Sequence, residues 1–407
     1  MNFEMTGKLS ISKESDKFKP YEEKTYPSGW KRKTLLFNVT CGDNRHMLSV
    51  QAGAFADGHG DIYSFTKSSV DENGNKVKGQ SIQIPFKDRL TSPKIAEIAE
   101  FKKFIVDLEK PNRRFELQKL ADKIHEGGEV TDEELSKVEL TSKDEITDAL
   151  EKSKKKRHEF ISEWDFVDFI KKVIESDKYK DSLFYIKGNG EYSYSDKNQR
   201  FYESYVPTRI YLAAPDAEPS STATLNIIFN HESLDDMSVD EKHKYYVNGY
   251  MMQYDNNRKE NLPVPVTIAI PIGDDEGSQR WAERAKHKFM FEDDDESFKE
   301  YGVIVNMLNG AQRVEITEDM LTDEQKEDIE FGLITLDDIR KDLGGSPYGD
   351  RIREYQFVKP ARGFTRGRED TVYKEEDMVV KPLVPENEAA EDVDLFDEEV
   401  VDDDDEL

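Results

Sequence analysis

Aromatic and basic side chains alternate along several short segments of this sequence. In residues 203–213, the odd positions include Tyr205, Arg209 and Tyr211, whereas Val206, Ile210 and Leu212 occupy even positions. Successive side chains of a strand point to opposite faces, so this spacing predicts a face of rings and cations opposite an apolar face. An aromatic ring can stack on any nucleobase, and Arg or Lys can hold a phosphate. The pattern therefore predicts a surface that binds a single nucleic-acid strand with little dependence on base sequence.

Further segments carry the same combination. Between residues 187 and 254, the other predicted nucleic-acid-binding residues are Lys187, Tyr192, Tyr194, Tyr246, Tyr250 and Tyr254, with Lys197 nearby. A second patch lies near the N-terminus, with Trp30, Lys31, Arg32 and Lys33 as predicted contacts and Phe18, Lys19, Tyr21, Lys24 and Tyr26 before them. Two structural interpretations compete with binding. The tyrosines could pack under a helical section or between β regions, since Tyr is common in strands, and the N-terminal patch could be a solvated loop whose Trp30 closes the core.

Short strands and amphipathic helices are expected to position these residues. Residues 1–92 contain five strand-like runs, as in 34–41, where Leu35, Phe37, Val39 and Cys41 fall on one face. Residues 181–275 contain five more. Residues 93–180 show helical spacing, above all in 93–110 and 158–174, and Thr131 and Thr141 are expected helix caps.

These elements predict an α+β fold with two β-rich, OB-like barrel regions separated by a helical section, followed by a disordered acidic tail. The expected divisions are an N-terminal OB-like region at 1–92, a helical section at 93–180, a second OB-like region at 181–275, a mixed α/β region at 276–368, and a linker with the tail at 369–407.

The charge of the chain is concentrated at its C-terminus. The formal net charge is −29, and residues 386–407 contain 13 acidic and no basic side chains, so the remainder carries −16. Such a polar, charged segment is predicted to be disordered, because it cannot bury enough apolar surface to offset its ordering entropy. A mobile polyanion can also compete with phosphates for the protein's own cations, so an acidic total is compatible with nucleic-acid binding.

Several classes of protein are not favoured by the sequence. The single Cys41 excludes an intrachain disulfide and a Cys-based zinc site, which fits a reducing, cytoplasmic location. The N-terminus does not resemble a signal peptide, and no run of 18 apolar residues predicts a membrane span. Common nucleotide, metalloprotease and hydrolase motifs do not occur. Asp57, His59 and Asp61 form one metal-like cluster, for which a tight turn is the favoured interpretation. The sequence thus predicts a non-enzymatic protein without cofactor or metal.

Taken together, the aromatic–basic strands, the short-stranded barrels and the acidic tail resemble single-stranded DNA-binding proteins with OB-folds, especially those of bacteriophages. The resemblance implies a protein that coats and protects single-stranded DNA in DNA replication and recombination, with RNA as an alternative ligand. It also implies that the tail recruits replication or recombination partners through apolar anchors, here Leu395, Phe396 and Leu407. The tail departs from the bacterial pattern, which ends in Pro-Phe, and this leaves the partner open.

Three other functions are compatible with the sequence. A viral structural or scaffold protein would bury the aromatic faces between subunits. An acidic DNA-mimic inhibitor would spread carboxylates over its folded surface. An enzyme acting on nucleic acid would gather carboxylates around a metal. Neither the oligomeric state nor the source organism follows from the sequence.

Overall fold

The computed structural model describes residues 1–72, 74–237, 239–292, 297–313, 321–335, 348–361 and 373–381. The strands are β1 (Asn2–Ser10), β2 (Tyr21–Thr25), β3 (Trp30–Cys41), β4 (Asn44–Phe55), β5 (Asp61–Phe65), β6 (Ser69–Val70), β7 (Lys76–Val77), β8 (Ser81–Pro85), β9 (Phe104–Asp107), β10 (Arg157–Phe160), β11 (Leu183–Ser195), β12 (Arg200–Leu212), β13 (Ser220–Phe229), β14 (Leu234–Asp235), β15 (Lys244–Asp255), β16 (Glu260–Pro271), β17 (Lys299–Arg313) and β18 (Tyr348–Pro360). The helices are α1 (Arg113–His125), α2 (Asp132–Lys137), α3 (Ile146–Lys154), α4 (Glu163–Ile174), α5 (Val239–Lys242), α6 (Glu276–Lys286) and α7 (Asp323–Glu330).

Five strands close into a first barrel. β1 pairs with β3, β3 with β4, β4 in parallel with β12, β12 with β11, and β11 returns to β1. The alternation predicted for β3 is confirmed, since Leu35, Phe37, Val39 and Cys41 are all buried. In the chain, α4 lies between β4 and β11, the third and fourth strands of this ring in sequence order. Its apolar stripe packs on β3 and β4. This five-stranded closed ring has OB-like architecture.

A second barrel repeats this arrangement. β13 pairs with β15, β15 with β16, β16 in parallel with β18, β18 with β17, and β17 returns to β13. α6 again follows the third strand, and its Ala282 and Ala285 are buried. β1 also pairs with β13, so the two rings belong to one sheet of 14 strands among the described residues.

The strand-rich mixed fold is confirmed, but the predicted layout of the β regions is not what the sheet adopts. Residues 1–92 and 181–275 do not form one barrel each. β11 and β12, from the second range, complete the ring begun by β1, β3 and β4, and the helical section is the connection inside that first ring. The second ring uses β17 and β18, which lie beyond residue 275. Strand pairing is non-local, so runs that are neighbours in sequence need not share a barrel.

Some local predictions are also wrong. The helix predicted over 93–110 is replaced by short 3-10 turns at Pro93–Glu97 and Glu100–Lys102, followed by β9. The helix predicted over 158–174 begins at Glu163, because residues 157–160 pair with β9 as β10. Apolar spacing misled these predictions because the side chains enter separate cores: Ile98 joins Ile82 and Ile84, whereas Val106 joins the main core.

The predicted helix caps are half right. Thr131 forms a full capping box with Glu134, whereas Ser142 rather than Thr141 caps the second segment.

Only part of the predicted linker and tail is described. A 3-10 turn at Glu375–Met378 buries Met378 near β16, and the Lys381 carbonyl oxygen accepts a hydrogen bond from Arg258. The acidic segment 386–407, with Leu395, Phe396 and Leu407, lies outside the described residues. Within the described part of the chain, no helix is long and apolar enough to cross a membrane.

Candidate nucleic-acid interface

The outer surface of β15 and β16 gathers three of the predicted tyrosines. Along β15, Val247 and Met251 are buried in the barrel, so the alternation places the intervening residues outside. This second-barrel face, the name used below, consists of Tyr246, Asn248, Tyr250, Met252 and Tyr254, with Pro265 and Thr267 of β16 opposite Tyr250 and Asn248. The predicted stripe on β15 is therefore confirmed as a single outward face.

The second-barrel face offers rings, an apolar floor and polar groups together. Thr267 donates a hydrogen bond of 2.8 Å to Asn248, which fixes the amide on the surface. The Lys242 ammonium lies 5.4 Å from the centre of the Tyr246 ring. Tyr254 is 49% exposed at the end of the strand. These groups could stack on bases and bond their edges without any change of fold.

An equivalent surface lies on β3 and β4 of the first barrel. Trp30 packs edge-to-face on Phe55 across the strand pair, with ring centres 4.9 Å apart. Gly53 lies under the indole ring, where a Cβ would stand 2.0 Å from a Trp30 ring carbon, so a glycine is required. Arg32 is paired with Gly53 in the register. We call Trp30, Arg32 and Phe55 the first-barrel face.

Sequence reasoning missed two aromatic members of this region. Phe55 ends β4, and His59 stacks on it with ring centres 3.8 Å apart. The signal available in the sequence was the alternation of β4, which places Phe55 on the same face as exposed Met47. His59 also contacts Asp57 at 2.5 Å, and the hydrogen bonds from its backbone and ring lower the pKa of that carboxyl.

Two predicted cations of the N-terminal patch point to the other side of β3. The Lys33 ammonium is buried, lies 2.6 Å from Asp168 of α4, and sits 3.9 Å over the Trp164 ring. Lys31 forms an ion pair of 3.3 Å with Glu23 of β2. Tyr21 donates to the same Asp168, and burial together with that carboxylate raises the pKa of Tyr21 to about 12. Lys33 therefore anchors α4 to the barrel.

A bulge on β12 separates the residues predicted to share one face. Lys187 pairs with Arg209, but the next residue, Gly188, pairs with Pro207, so β12 carries one extra residue at this point. One extra residue reverses the alternation. The prediction that Tyr205 shares a face with Arg209 and Tyr211 is therefore wrong.

Tyr205 and two other predicted tyrosines lie where the barrels meet. The Tyr205 ring packs edge-to-face on buried Phe3, and its hydroxyl is 3.1 Å from the Tyr355 hydroxyl of β18. Tyr192 donates to Glu203 at 2.6 Å and is 3.3 Å from the Tyr355 hydroxyl.

Glu203 joins this cluster to the second barrel. Its carboxylate also accepts hydrogen bonds from Tyr355 and, at 2.9 Å, from Arg353. Burial raises the pKa of Tyr192, Tyr205 and Tyr355, and the carboxylate raises them further. Tyr194 packs on Phe201 and lies under Arg258 of the second barrel at 5.4 Å.

The remaining predicted residues of β11 and β12 face outward on the opposite side. Lys187 and Tyr185 both bind the Glu4 carboxylate, at 2.8 and 2.6 Å. Tyr211 stacks beside Tyr185 and lines a cavity of about 780 Å³ between this sheet surface and α1. The structure therefore does not bring the predicted set together as one site. It divides the set among two outer barrel faces, the junction between the barrels and this cavity.

The metal-like cluster at 57–61 remains a turn. In the described residues, no group of three or more His, Cys, Asp or Glu side chains could hold a metal ion. The backbone turns through Gly58 and Gly60, both with positive φ.

Comparisons with known proteins add little to what the geometry shows. No protein-family model matches the chain, and no curated protein sequence matches it. Among solved structures, the wild-type single-stranded DNA binding protein from Thermus aquaticus aligns over 76% of this chain and 84% of that chain, with 10% identity and a TM-score of 0.26. A deletion mutant of that protein aligns over 76% and 86%, with 9% identity and the same TM-score of 0.26. At this TM-score the likeness carries no argument about function.

Proposed function

We propose that this chain binds single-stranded DNA through the outer faces of its two OB-like barrels. The observation that carries the proposal is the second-barrel face, where Tyr246, Tyr250 and Tyr254 line the outside of β15, the second strand of a closed five-stranded ring, beside β16, the third. In OB-folds this strand pair is the surface that binds oligonucleotides. The tyrosines are held by β15 itself, so the surface is formed before any ligand arrives.

The first-barrel face supports the same proposal. Trp30, Phe55 and Arg32 occupy the outside of β3 and β4, which are the second and third strands of their own ring. Two equivalent surfaces, each with rings and a nearby cation, suit one strand that passes over both barrels. Stacking on exposed rings requires unpaired bases, so duplex DNA is the poorer ligand.

The biological setting is part of the proposal. The protein would coat and protect single-stranded DNA during DNA replication and recombination, in the cytoplasm of a host cell if its source is a bacteriophage. Residues 386–407 would compete with DNA for basic groups and recruit replication or recombination proteins through Leu395, Phe396 and Leu407. RNA is a second ligand to compare with DNA.

Binding of matched single-stranded and duplex oligonucleotides tests the proposal. Fluorescence anisotropy at equal salt should give clearly tighter binding to the single strand. Affinity should fall with salt because bound cations release counterions from the phosphates, and a stacking component should persist at high salt. Equal or tighter binding to the duplex, or no binding to either, contradicts the proposal.

A further inference from the structure

The segment of chain between β4 and α4 forms a small sheet that presents aromatic rings to solvent. β5 and β8 pair as a two-stranded sheet outside the main one. The inner side of this sheet is apolar, with Ile82 and Ile84 packed against Ile98 in a small core. The outer side of β5 carries Tyr63 and Phe65, which follow one another on the same face.

These rings are unusually exposed for residues of their type. Tyr63 is 71% exposed and Phe65 46%. Phe101, in the turn that packs beside β5, is 72% exposed, although its spacing in the sequence suggested a buried helical stripe. The backbone brings the two segments together, since Ala99 donates a hydrogen bond of 2.9 Å to the Phe65 carbonyl. Exposed aromatic residues that are gathered in one region in this way suggest an interaction surface.

A cation lies between the rings. The Lys102 ammonium is 5.7 Å from the centre of the Phe65 ring and 5.6 Å from that of Phe101. Among the ion pairs of the described residues, the adjacent Glu100 pairs with Arg157 and Glu159 pairs with Lys103, and none involves Lys102. Residues 61–103 contain eight basic and six acidic side chains, a positive balance within a chain of net charge −29.

In the chain, the small sheet follows directly after the first-barrel face. Phe55 ends β4, His59 stacks on its ring, and β5 begins two residues later at Asp61. The chain therefore passes from the rings of the first-barrel face to those of β5 within eight residues.

We propose that Tyr63, Phe65, Phe101 and Lys102, here called the satellite face, form an additional binding surface for single-stranded nucleic acid. The rings would stack on unpaired bases and Lys102 would contact phosphate. This inference rests on the proposed function and extends the bound strand beyond the two barrels. Single-stranded nucleic acid fits better than an apolar peptide, because the Lys102 ammonium lies beside both the Phe65 and the Phe101 ring and an apolar peptide has no charge to pair with it.

The test compares the double variant Phe65→Ala/Phe101→Ala with the control Phe331→Ala, which removes a ring that is 76% exposed elsewhere. Anisotropy would be measured with oligothymidylates of increasing length. We expect the full-length variant to keep its melting temperature and to bind the shortest bound oligomer normally. The affinity of the wild type should rise with oligomer length. The affinity of the variant for the longer oligomers should be lower by roughly five- to 150-fold for each ring removed.

Two further variants separate stacking from charge. Phe101→Tyr should bind like the wild type, since the ring is retained. Lys102→Gln should lower the slope of log affinity against log salt by about 0.7.

The outcomes distinguish this inference from the proposed function. If the double variant binds long oligomers as tightly as the wild type, while the wild type does bind them, the inference is overturned and the satellite face is a surface for protein contact. If the wild type binds no single-stranded oligomer of any length, the proposed function itself fails and the inference falls with it.

Discussion

Tyrosines that look equivalent in the sequence occupy two different environments in this protein. Tyr254 stands on the second-barrel face with half of its surface open to solvent. Tyr205 is wedged between the barrels, where its ring contacts Phe3 and its hydroxyl meets that of Tyr355. The exposed Tyr254 ring can be removed without affecting the fold, whereas the Tyr205 ring fills space in a packed interface.

Alanine substitutions at Tyr254 and Tyr205 should therefore give opposite results. Tyr254→Ala is expected to weaken single-strand binding by about 1–3 kcal/mol and to leave the melting temperature nearly unchanged. Tyr205→Ala is expected to destabilise the protein by about 3–5 kcal/mol, as large-to-small changes of buried rings do. Anisotropy and thermal unfolding on both variants measure the two effects. If Tyr254→Ala lowers the melting temperature but leaves the affinity of the folded protein for the single strand unchanged, this ring is structural.

At the scale of elements, β4 belongs to the first barrel but also contacts the second. The Asn44 side chain accepts a hydrogen bond of 3.0 Å from the Asn309 backbone of β17. Gly310 approaches the Asp43 carbonyl so closely that a Cβ would stand 2.1 Å from its oxygen, which explains a glycine inside a long strand. His46 of β4 lies beside Tyr205, is buried, and has no hydrogen-bond partner on its ring nitrogens in the described structure. Burial of the imidazole lowers the pKa of His46 to about 4.

This histidine should make the fold sensitive to acid. The folded-state pKa of about 4 lies below the ordinary value of 6.5, so between these values only the unfolded chain binds the proton. The free energy of unfolding should then fall as pH is lowered from about 6.5 to about 4, by up to about 3 kcal/mol from this group. Urea unfolding of the wild type and of His46→Gln across this range measures the difference. The variant should show the shallower dependence on pH, and His231→Gln, which removes a half-exposed histidine, should behave like the wild type. Parallel curves for His46→Gln and the wild type would contradict the assignment.

At the scale of the whole molecule, the distribution of charge is the feature most open to test. The body to residue 385 carries −16, yet cations such as Lys102 and Lys242 lie next to rings on its surface. Residues 386–407 add 13 negative charges that can reach such cations only if the segment is free to move.

Removal of residues 386–407 should therefore tighten single-strand binding without changing the melting temperature. The gain should be largest at low salt and should shrink as ions screen the competition. A full-length variant with Asp402→Asn, Asp403→Asn, Asp404→Asn and Asp405→Asn controls for tail length and should show part of the gain. Weaker DNA binding after truncation, or unfolding of the body, would mean that the segment is an integrated structural element.

The sequence by itself determined the local features of this protein. Alternation along β3 and β15 places their residues on the correct faces, and the existence of most strands follows from the same period of two. The tertiary structure alone decided which strands share a barrel, because the closing pairs join residues that are far apart in the chain, such as Leu48 with Tyr205. It also decided which tyrosines are available to a ligand. A single extra residue in β12 reverses the face of Tyr205, and the second barrel then covers it, so no period in the sequence could separate it from Tyr254.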